Sequence, residues 1–167
     1  MIYKIYTDGS TRKNGDLNAI GAYGFVILNE DEQIIGEESK IEECTTNQRV
    51  ELLAAINSIK FINHLINNND FIEIYTDSAY LCNCKHQNWY KNWLKNGWIN
   101  SKKQPVANKD LWEQLIPIFE NKQIDFIKVK GHAGRNYHEM WNEYVDNLVQ
   151  TASSKRTEVN NGKNCNN

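Results

Sequence analysis

Hydrophobic and polar residues near the start of the chain alternate as they do in β-strands. Residues 2–7 are rich in isoleucine and tyrosine and run into the turn residues Asp8-Gly9-Ser10. Similar segments cover residues 22–28 and 33–42, and the turn-forming sequence Asn29-Glu30-Asp31-Glu32 separates them. Three strands joined by short connections predict an antiparallel meander.

The pattern then changes to the period of an amphipathic helix. The apolar residues that recur every three or four positions are Leu52, Ile56, Ile59, Ile62 and Ile66. Thr45, followed three residues later by Gln48, is typical of a capping box, so we expect a helix near residues 46–67. A fourth strand follows at 71–76. Because a long helix separates this strand from the earlier ones, the connection predicts a parallel crossover.

Helices and strands continue to alternate in the rest of the chain. We expect a helix over 78–94, another over 108–120 capped by Asn108, a fifth strand over 124–130 and a closing helix over 140–152. From Ser153 the sequence is polar and rich in asparagine, which favours a disordered tail over 153–167. These elements predict one α/β domain over residues 1–152, with a five-stranded mixed sheet of three antiparallel and two parallel strands flanked by helices.

Charge is distributed unevenly along the 167 residues. The formal net charge of −2 alone argues against a polyanionic partner. Residues 78–109, here called the basic segment, nevertheless contain six lysines and no aspartate or glutamate, and four of the five tryptophans lie in or just after them. Lysines interleaved with tryptophans are typical of a surface that follows a nucleic-acid backbone. Trp89 and Trp93, four residues apart, also suit a packed stripe on a helix.

Acidic residues mark one edge of the predicted sheet. Asp8 and Asp77 each follow a strand, and the carboxyl ends of adjacent parallel strands meet at the edge where α/β proteins build their sites. Glu51 lies in the first turns of the long helix, and Asp146 lies on the closing helix. Taken singly, such residues are often turn residues, caps or solvated side chains. As a cluster they would need protons or hard cations such as Mg²⁺ or Mn²⁺, and two such ions are a device for cleaving phosphodiesters.

One histidine has a context that suits proton transfer. His132 lies in the glycine-flanked loop Lys130-Gly131-His132-Ala133-Gly134 after the fifth predicted strand. His64, His86 and His138 have no comparable context, so we expect them at the surface.

Five short motifs occur in one order along the chain: Thr7-Asp8-Gly9-Ser10, Thr46-Asn47-Gln48-Arg49-Val50-Glu51-Leu52, Thr76-Asp77-Ser78, the His132 loop and Asn142-Glu143-x-x-Asp146. Over about residues 2–152 the chain resembles type 1 ribonuclease H in these motifs. The resemblance implies a ribonuclease H-like fold with a basic helical protrusion. It also implies an endonuclease that hydrolyses the RNA strand of RNA–DNA hybrids and leaves 5′-phosphate and 3′-hydroxyl ends. We expect a cytoplasmic protein with no membrane partner, because no stretch approaches the ~18 apolar residues of a membrane span and no signal pattern precedes the first strand. We also expect a monomer.

The resemblance further implies roles for individual residues. Asp8, Glu51, Asp77 and Asp146 would bind two Mg²⁺ ions, for which Mn²⁺ can substitute. Asp8 would bridge both ions, Asp146 would help hold the ion that activates water, and Glu51 with Asp77 would hold the ion at the leaving 3′-oxygen. His132 would assist proton transfer or product release.

Contacts with the hybrid are implied for three groups of residues. In the basic segment, which matches a protrusion that grips the DNA strand, these are Trp93, Lys95, Trp98, Lys102 and Lys103. Thr46 and Asn108 match a pocket for a DNA phosphate. Three further residues match family positions that contact the hybrid in its minor groove: Asn14, Asn47 and Gln48.

Two features depart from the family pattern. Residues 135–141 form a segment about four residues longer than usual, which predicts either a different movement of the His132 loop or a closing helix that begins a turn earlier. The proline that usually follows Asn14 is absent. No amino-terminal hybrid-binding module is expected, because the first strand begins at Ile2.

Two other functions remain open at this point. A non-catalytic nucleic-acid-binding module on the same fold would be favoured by a replaced carboxylate, and none of the four is replaced. Another nuclease of the wider fold, such as a junction resolvase, is the second alternative. The basic segment and the His132 loop both argue against it.

Overall fold

The computed structural model describes residues 1–130 and 136–155 of the chain. Its strands are β1 (Ile2–Arg12), β2 (Ile20–Leu28), β3 (Ile34–Glu43), β4 (Phe71–Thr76) and β5 (Gln123–Lys128). Its helices within these ranges are α1 (Asn47–Ile62), α2 (Ala79–His86), α3 (Trp89–Asn96), α4 (Lys109–Asn121) and α5 (Tyr137–Lys155). None of these helices is long and apolar enough to cross a bilayer.

The strands form one sheet in the order β3-β2-β1-β4-β5. β1, β2 and β3 pair antiparallel, whereas β4 runs parallel to β1 and β5 runs parallel to β4. The predicted meander, crossover and mixed sheet are therefore confirmed. β1 lies at the centre, so a residue at its carboxyl end is flanked by strands on both sides.

Alternation along the strands divides the core between the two faces of the sheet. On one face, Ile5, Phe25 and Ile74 pack with the apolar side of α1, including the fully buried Leu52. On the other face, Tyr6 and Tyr75 belong to a cluster that α5 completes with two buried valines, Val145 and Val149. Burial of each large side chain contributes about 1.5–3 kcal/mol. α1 and α5 are thus fixed on opposite faces of the two central strands.

The start of α1 differs from the prediction by one residue. The cap is Thr46, whose hydroxyl accepts the backbone N–H of Arg49, whereas Thr45 is buried beneath the helix start. The helix ends at Ile62 rather than near residue 67. At the start of α4, Asn108 occupies the predicted cap position, but its φ of 60° is left-handed and its side chain makes no capping hydrogen bond.

The single helix predicted over 78–94 is wrong, because the chain forms α2 and α3 instead. The break is at Asn88, whose left-handed φ of 56° is incompatible with a continuing helix and is tolerated by asparagine. α3 then ends at Asn96, and the next residue, Gly97, is also left-handed at φ 75°. This break turns the basic segment into two short helices followed by a loop.

Two other boundaries move outward. β1 continues to Arg12 because residues 8–12 pair with β2 up to the Arg12–Ile20 partners. α5 begins at Tyr137, three residues before the expected start, and continues to Lys155. The longer segment noted in the sequence is thus partly absorbed by an earlier helix start. Residues 153–155 are helical, and residues 156–167 of the expected tail lie outside the described ranges.

Candidate active site

Asp8 is the buried centre of the acidic edge. It lies on β1 opposite Gly24 of β2 and is only 9% exposed. One carboxylate oxygen accepts the backbone N–H of Gly9 at 2.9 Å. The pKa of Asp8 is raised to about 8, chiefly by burial and in addition by the charge of Asp77 and a hydrogen bond with Asp146. In the absence of a cation, Asp8 therefore holds a proton near neutral pH.

Gly9 allows helix α1 to approach β1 closely. A Cβ atom at this position would lie 2.9 Å from both the backbone carbon and a side-chain methyl of Val50, and 3.0 Å from the backbone nitrogen of Glu51. Only glycine leaves room for the first turns of α1 here. The Asp8-Gly9 sequence thus supplies a carboxylate and also the space that brings Glu51 to the same edge.

Glu51 is held by a residue that the sequence analysis did not select. The hydroxyl of Ser78 donates to a Glu51 carboxylate oxygen at 2.6 Å, and the same hydroxyl accepts the N–H of Leu81 as the cap of α2. Burial raises the pKa of Glu51, while the Ser78 hydrogen bond lowers it and the Asp77 charge raises it. The signal was available, because Ser78 directly follows Asp77 in a recognised motif.

Asp77 and Asp146 approach the centre from two other elements. Asp77 follows β4, which pairs with β1, and Asp146 lies on α5. Both raise the pKa of Asp8, and Asp77 also raises that of Glu51. The interactions thus connect Asp8 with Asp77, Asp8 with Asp146, and Glu51 with Asp77.

The carboxylates are connected in pairs rather than gathered around a single point. Across residues 1–130 and 136–155, no three acidic, histidine or cysteine side chains stand in a group that could hold an ion. Their chemistry nevertheless fits divalent cations, since all four donors are hard oxygens and the buried Asp8 is ionised only at a high cost. A cation at this edge would offset the two causes that raise the pKa of Asp8, its burial and the charge of its carboxylate neighbours.

One of the histidines expected at the surface is half-buried in the structure. His132 lies outside the described residues, so its role stays a prediction. His86 is exposed as expected, beside Asp125. The surface assignment of His138 is wrong, because its ring is half-buried and stacks on Tyr75 with a centroid distance of 4.3 Å. An aromatic partner across 63 residues of sequence could not be seen from local context.

The predicted phosphate pocket lies at the start of α1. Asn108 donates to the Tyr80 hydroxyl at 3.3 Å and to Gln48 at 3.4 Å, and it accepts from Arg49 at 3.3 Å. Arg49 forms two hydrogen bonds with Asp110, at 2.7 and 2.9 Å. Thr46 and Asn108 are therefore brought to one surface, together with Arg49, Tyr80 and Asp110, which the sequence analysis had not assigned.

The other candidate contacts near α1 form a connected chain. The Asn47 side chain accepts from the backbone N–H of Thr11 at 2.9 Å and from its hydroxyl. The backbone N–H of Asn47 in turn donates to the Asn14 side chain at 3.2 Å. Asn14 is therefore tied to the start of α1 even without the proline that usually follows it.

The basic segment combines packed tryptophans with exposed lysines. Trp93 is buried and stacks on Trp98 at 5.9 Å, and it meets the fully buried Trp112 at 5.5 Å. Lys95, Lys102 and Lys103 are exposed. Asn100 holds the loop by accepting the N–H groups of Lys102 and Gln104 at 2.9 and 3.0 Å. The buried area of Trp93 thus serves packing, and the lysines remain available to a partner.

The strand order β3-β2-β1-β4-β5, with helices on both faces and carboxylates at one edge, defines a ribonuclease H-like fold. The family model described as RNase H matches residues 2–154. A ribonuclease H of Syntrophomonas wolfei is 42% identical over 151 residues, covering 89% of this chain and 93% of that protein. A ribonuclease H of Clostridium botulinum is 40% identical over 148 residues, covering 89% and 93%.

A solved structure agrees in fold. LC11-RNase H1 in complex with RNA/DNA hybrid is similar with a TM-score of 0.70 and 20% identity, covering 93% of this chain and 99% of that one. The extent of the family match and of the relatives settles the classification. The chain belongs to the RNase H family.

Proposed function

We propose that the protein is an endonuclease that hydrolyses the RNA strand of RNA–DNA hybrids and leaves 5′-phosphate and 3′-hydroxyl ends. The observation that carries the proposal is the buried Asp8 carboxyl, whose pKa is raised to about 8 by burial and by its carboxylate neighbours Asp77 and Asp146. Buried carboxyl groups with raised pKa values cluster at functional sites, where neighbouring carboxylates converge on a cation or a reacting group. Family membership supports the same substrate, because the relatives are named as ribonucleases H.

Two Mg²⁺ ions, or Mn²⁺ in their place, would be held by Asp8, Glu51, Asp77 and Asp146. Bound there, they would supply Lewis-acid stabilisation of the attacking and leaving oxygens. The donor set fits this role in charge and in atom type. Binding would require the present pairs of carboxylates to rotate toward one another, and Asp8 would have to lose its proton.

The chain's own groups prepare these donors. Ser78 fixes one oxygen of Glu51, so that the other oxygen is left for a ligand. Gly9 fixes the orientation of Asp8 through its N–H and admits α1 to the edge. We propose His132 as the group that carries a proton to or from the reacting oxygens or assists product release.

The hybrid would lie across the start of α1 and the basic segment. Thr46 and Asn108 would contact a DNA phosphate, Asn14, Asn47 and Gln48 would lie at the minor groove, and the protrusion would follow the DNA strand. The contact residues proposed in that protrusion are Lys95, Trp98, Lys102 and Lys103, while Trp93, which is 8% exposed, supports Trp98 from beneath. LC11-RNase H1, which has a similar fold, was solved with an RNA/DNA hybrid, and this supports a hybrid as the substrate. Recognition of 2′-hydroxyls on only one strand would distinguish a hybrid from either duplex.

A cleavage assay on three substrates tests the proposal. The protein is incubated with an RNA–DNA hybrid, an RNA duplex and a DNA duplex, each with Mg²⁺ and with EDTA, and the product ends are tested with phosphatase and polymerase. We expect cleavage of the hybrid alone, only with Mg²⁺, and 3′ ends that a polymerase extends. Asp8→Asn should abolish cleavage without lowering hybrid affinity, while the exposed Asp31→Asn should cleave normally.

The alternatives give different results in the same assay. A binding module would retain hybrid affinity and show no cleavage by the wild type. A resolvase would cut four-way DNA junctions and spare the hybrid. Cleavage by Asp8→Asn, in preparations free of host enzyme, would overturn the assignment of the carboxylates.

We propose that the protein works as a monomer in the cytoplasm, without a membrane partner. Light scattering after gel filtration should give a mass near 19.5 kDa for the free protein, and that mass plus the mass of one hybrid duplex for the complex. A mass of twice that value would contradict the monomer.

A further inference from the structure

Three aromatic rings form a stack on the face of the sheet that α5 covers, and the two tyrosines stand two residues before candidate carboxylates. We call Tyr6, Tyr75 and His138 the aromatic clamp. Tyr6 and Tyr75 stack with centroids 4.8 Å apart and planes 15° apart, and Tyr75 stacks on His138 at 4.3 Å and 13°. A hydrogen bond of 2.8 Å joins the Tyr6 hydroxyl to Nδ1 of His138. The clamp therefore connects β1 and β4 to the first turn of α5.

Each element of the clamp also carries one of the candidate carboxylates. Tyr6 and Asp8 are two residues apart on β1 and share a face of the sheet. Tyr75 is two residues before Asp77, and His138 is eight residues before Asp146 on α5. Eight helical residues span about 12 Å, or slightly more than two turns. Fixing His138 against the two tyrosines therefore fixes where α5 delivers Asp146 relative to Asp8 and Asp77.

The surroundings keep the imidazole in the form that this hydrogen bond needs. Burial lowers the pKa of His138, the charge of Lys4 lowers it further, and Glu73 and Glu32 act in the opposite direction. With the ring neutral and its proton on Nε2, the Tyr6 hydroxyl donates to Nδ1. Glu73 itself accepts from the Tyr75 hydroxyl at 2.7 Å.

The start of α5 is further fixed by its own cap. Asn136 and Glu139 exchange side-chain and backbone hydrogen bonds, with distances of 3.0 and 3.2 Å, in a capping-box arrangement. Lys4 also lies over the Tyr137 ring, 5.2 Å from its centroid. His138 thus lies in a first turn that is held by its own cap. This turn belongs to the stretch in which the chain departs from the usual family spacing.

We propose that the aromatic clamp is a positioning device for the acidic edge, which sets the distance of Asp146 from Asp8 and so the affinity of the site for divalent ions. The inference rests on the proposed function for its activity readout. It has a second readout that does not depend on cleavage, because ion binding to the free protein can be measured directly.

The test removes single groups from the clamp. Tyr6→Phe deletes only the hydroxyl, and His138→Phe keeps a ring for stacking but cannot make the hydrogen bond. The matched control is Tyr144→Phe, which removes a different hydroxyl that joins α5 to the sheet, through Glu37 on β3. Measurements are kcat and KM for the hybrid, the Mg²⁺ concentration at half-maximal rate, and the Mn²⁺ affinity of the free protein by calorimetry.

We expect both clamp variants to weaken Mn²⁺ binding and to raise the Mg²⁺ concentration at half-maximal rate, each about fivefold. This factor corresponds to the free energy that one hydrogen bond typically contributes. Their kcat should fall by a similar factor at limiting Mg²⁺, with KM for the hybrid unchanged within about twofold. Tyr144→Phe should keep wild-type ion affinity. Equal ion affinities in clamp and control variants would overturn the proposal, as would equal losses in all three.

Failure of the proposed function would look different. If the wild type does not cleave hybrids, the endonuclease assignment fails, while calorimetry still compares ion affinity in the clamp variants. If the wild type binds no Mn²⁺, the clamp has no ion site to position and the inference fails as well.

Discussion

Replacing Asp8 by asparagine should stabilise the protein in the absence of metal, although it removes the central carboxylate. The raised pKa means that the folded state binds a proton at Asp8 far more tightly than the unfolded state. Asp8 therefore favours folding fully below about pH 4, and this contribution is lost as the pH rises toward 8. Asparagine carries no charge, so the variant avoids the loss.

The size of the effect follows from the pKa difference. The pKa of Asp8 rises from 3.8 in the unfolded state to about 8 in the folded state. Between these two values, each pH unit above 3.8 lowers the free energy of unfolding by about 1.36 kcal/mol. At pH 7 the loss in the wild type is therefore at most about 4 kcal/mol. Side chains around the ionised Asp8 rearrange and recover part of this loss. We therefore expect the free energy of unfolding of Asp8→Asn to exceed that of the wild type by about 1–3 kcal/mol at pH 7.

Urea unfolding in EDTA at pH 5, 7 and 8.5 measures this gain. It should be smallest at pH 5 and increase toward pH 8.5, and added Mg²⁺ should narrow the difference by stabilising the wild type preferentially. Asp31→Asn, at an exposed turn, should change stability by less than about 0.5 kcal/mol at every pH. A gain that does not vary with pH, or a loss of stability at pH 8.5, would refute the electrostatic reasoning.

Other changes test further parts of the site. Ser78→Ala should lower kcat about tenfold, because Glu51 loses its hydrogen-bond donor, and should lower the free energy of unfolding by about 1 kcal/mol, because α2 loses its cap. Ser78→Thr should restore most of both quantities, as measured by steady-state kinetics and urea unfolding. Gly9→Ala should destabilise the fold by about 1–3 kcal/mol in urea unfolding, because the added methyl would lie 2.9 Å from Val50. A variant as stable as the wild type would show that α1 can move away from β1. Neutralising three exposed lysines should raise KM and flatten its salt dependence, with a slope change of about 0.7–0.9 per lost phosphate contact and little change in kcat. The lysines are Lys95, Lys102 and Lys103, and an unchanged salt slope would exclude them from the interface.

Much of the fold was predictable because its signals are local. Alternation identified the strands, the three-to-four-residue period identified α1, and the length of that helix implied the crossover that places β4 beside β1. The boundaries were less predictable. Asparagine tolerates the left-handed conformation, but Asn83 and Asn92 nearby stay helical, so residue type alone does not single out Asn88 as the point where one expected helix divides into two.

The site was predictable where chemistry and motif coincide, and less so where contacts join distant parts of the chain. Asp8, Glu51, Asp77 and Asp146 were expected together, and their electrostatic interactions connect them. His138 was misjudged because the rings that enclose it come from strands far away in sequence. Packing between distant segments is set by the whole fold, and a local pattern carries no information about it.

Similarly, Arg49 gave no local sign of its partner. Its ion pair with Asp110 joins residues 61 positions apart, one at the start of α1 and one at the start of α4. Only the docking of the two helices reveals that this guanidinium lies beside Asn108.

The contribution of α5 to the acidic edge has a consequence for protein synthesis. Asp8 leaves the ribosome early, yet Asp146 lies on the last described helix of the chain. A nascent chain that ends before α5 can form strand pairs and bury α1, but it lacks one of the four proposed ligands. With the proposed ligand set, the ion site is therefore completed only after α5 has been synthesised and has packed on the sheet.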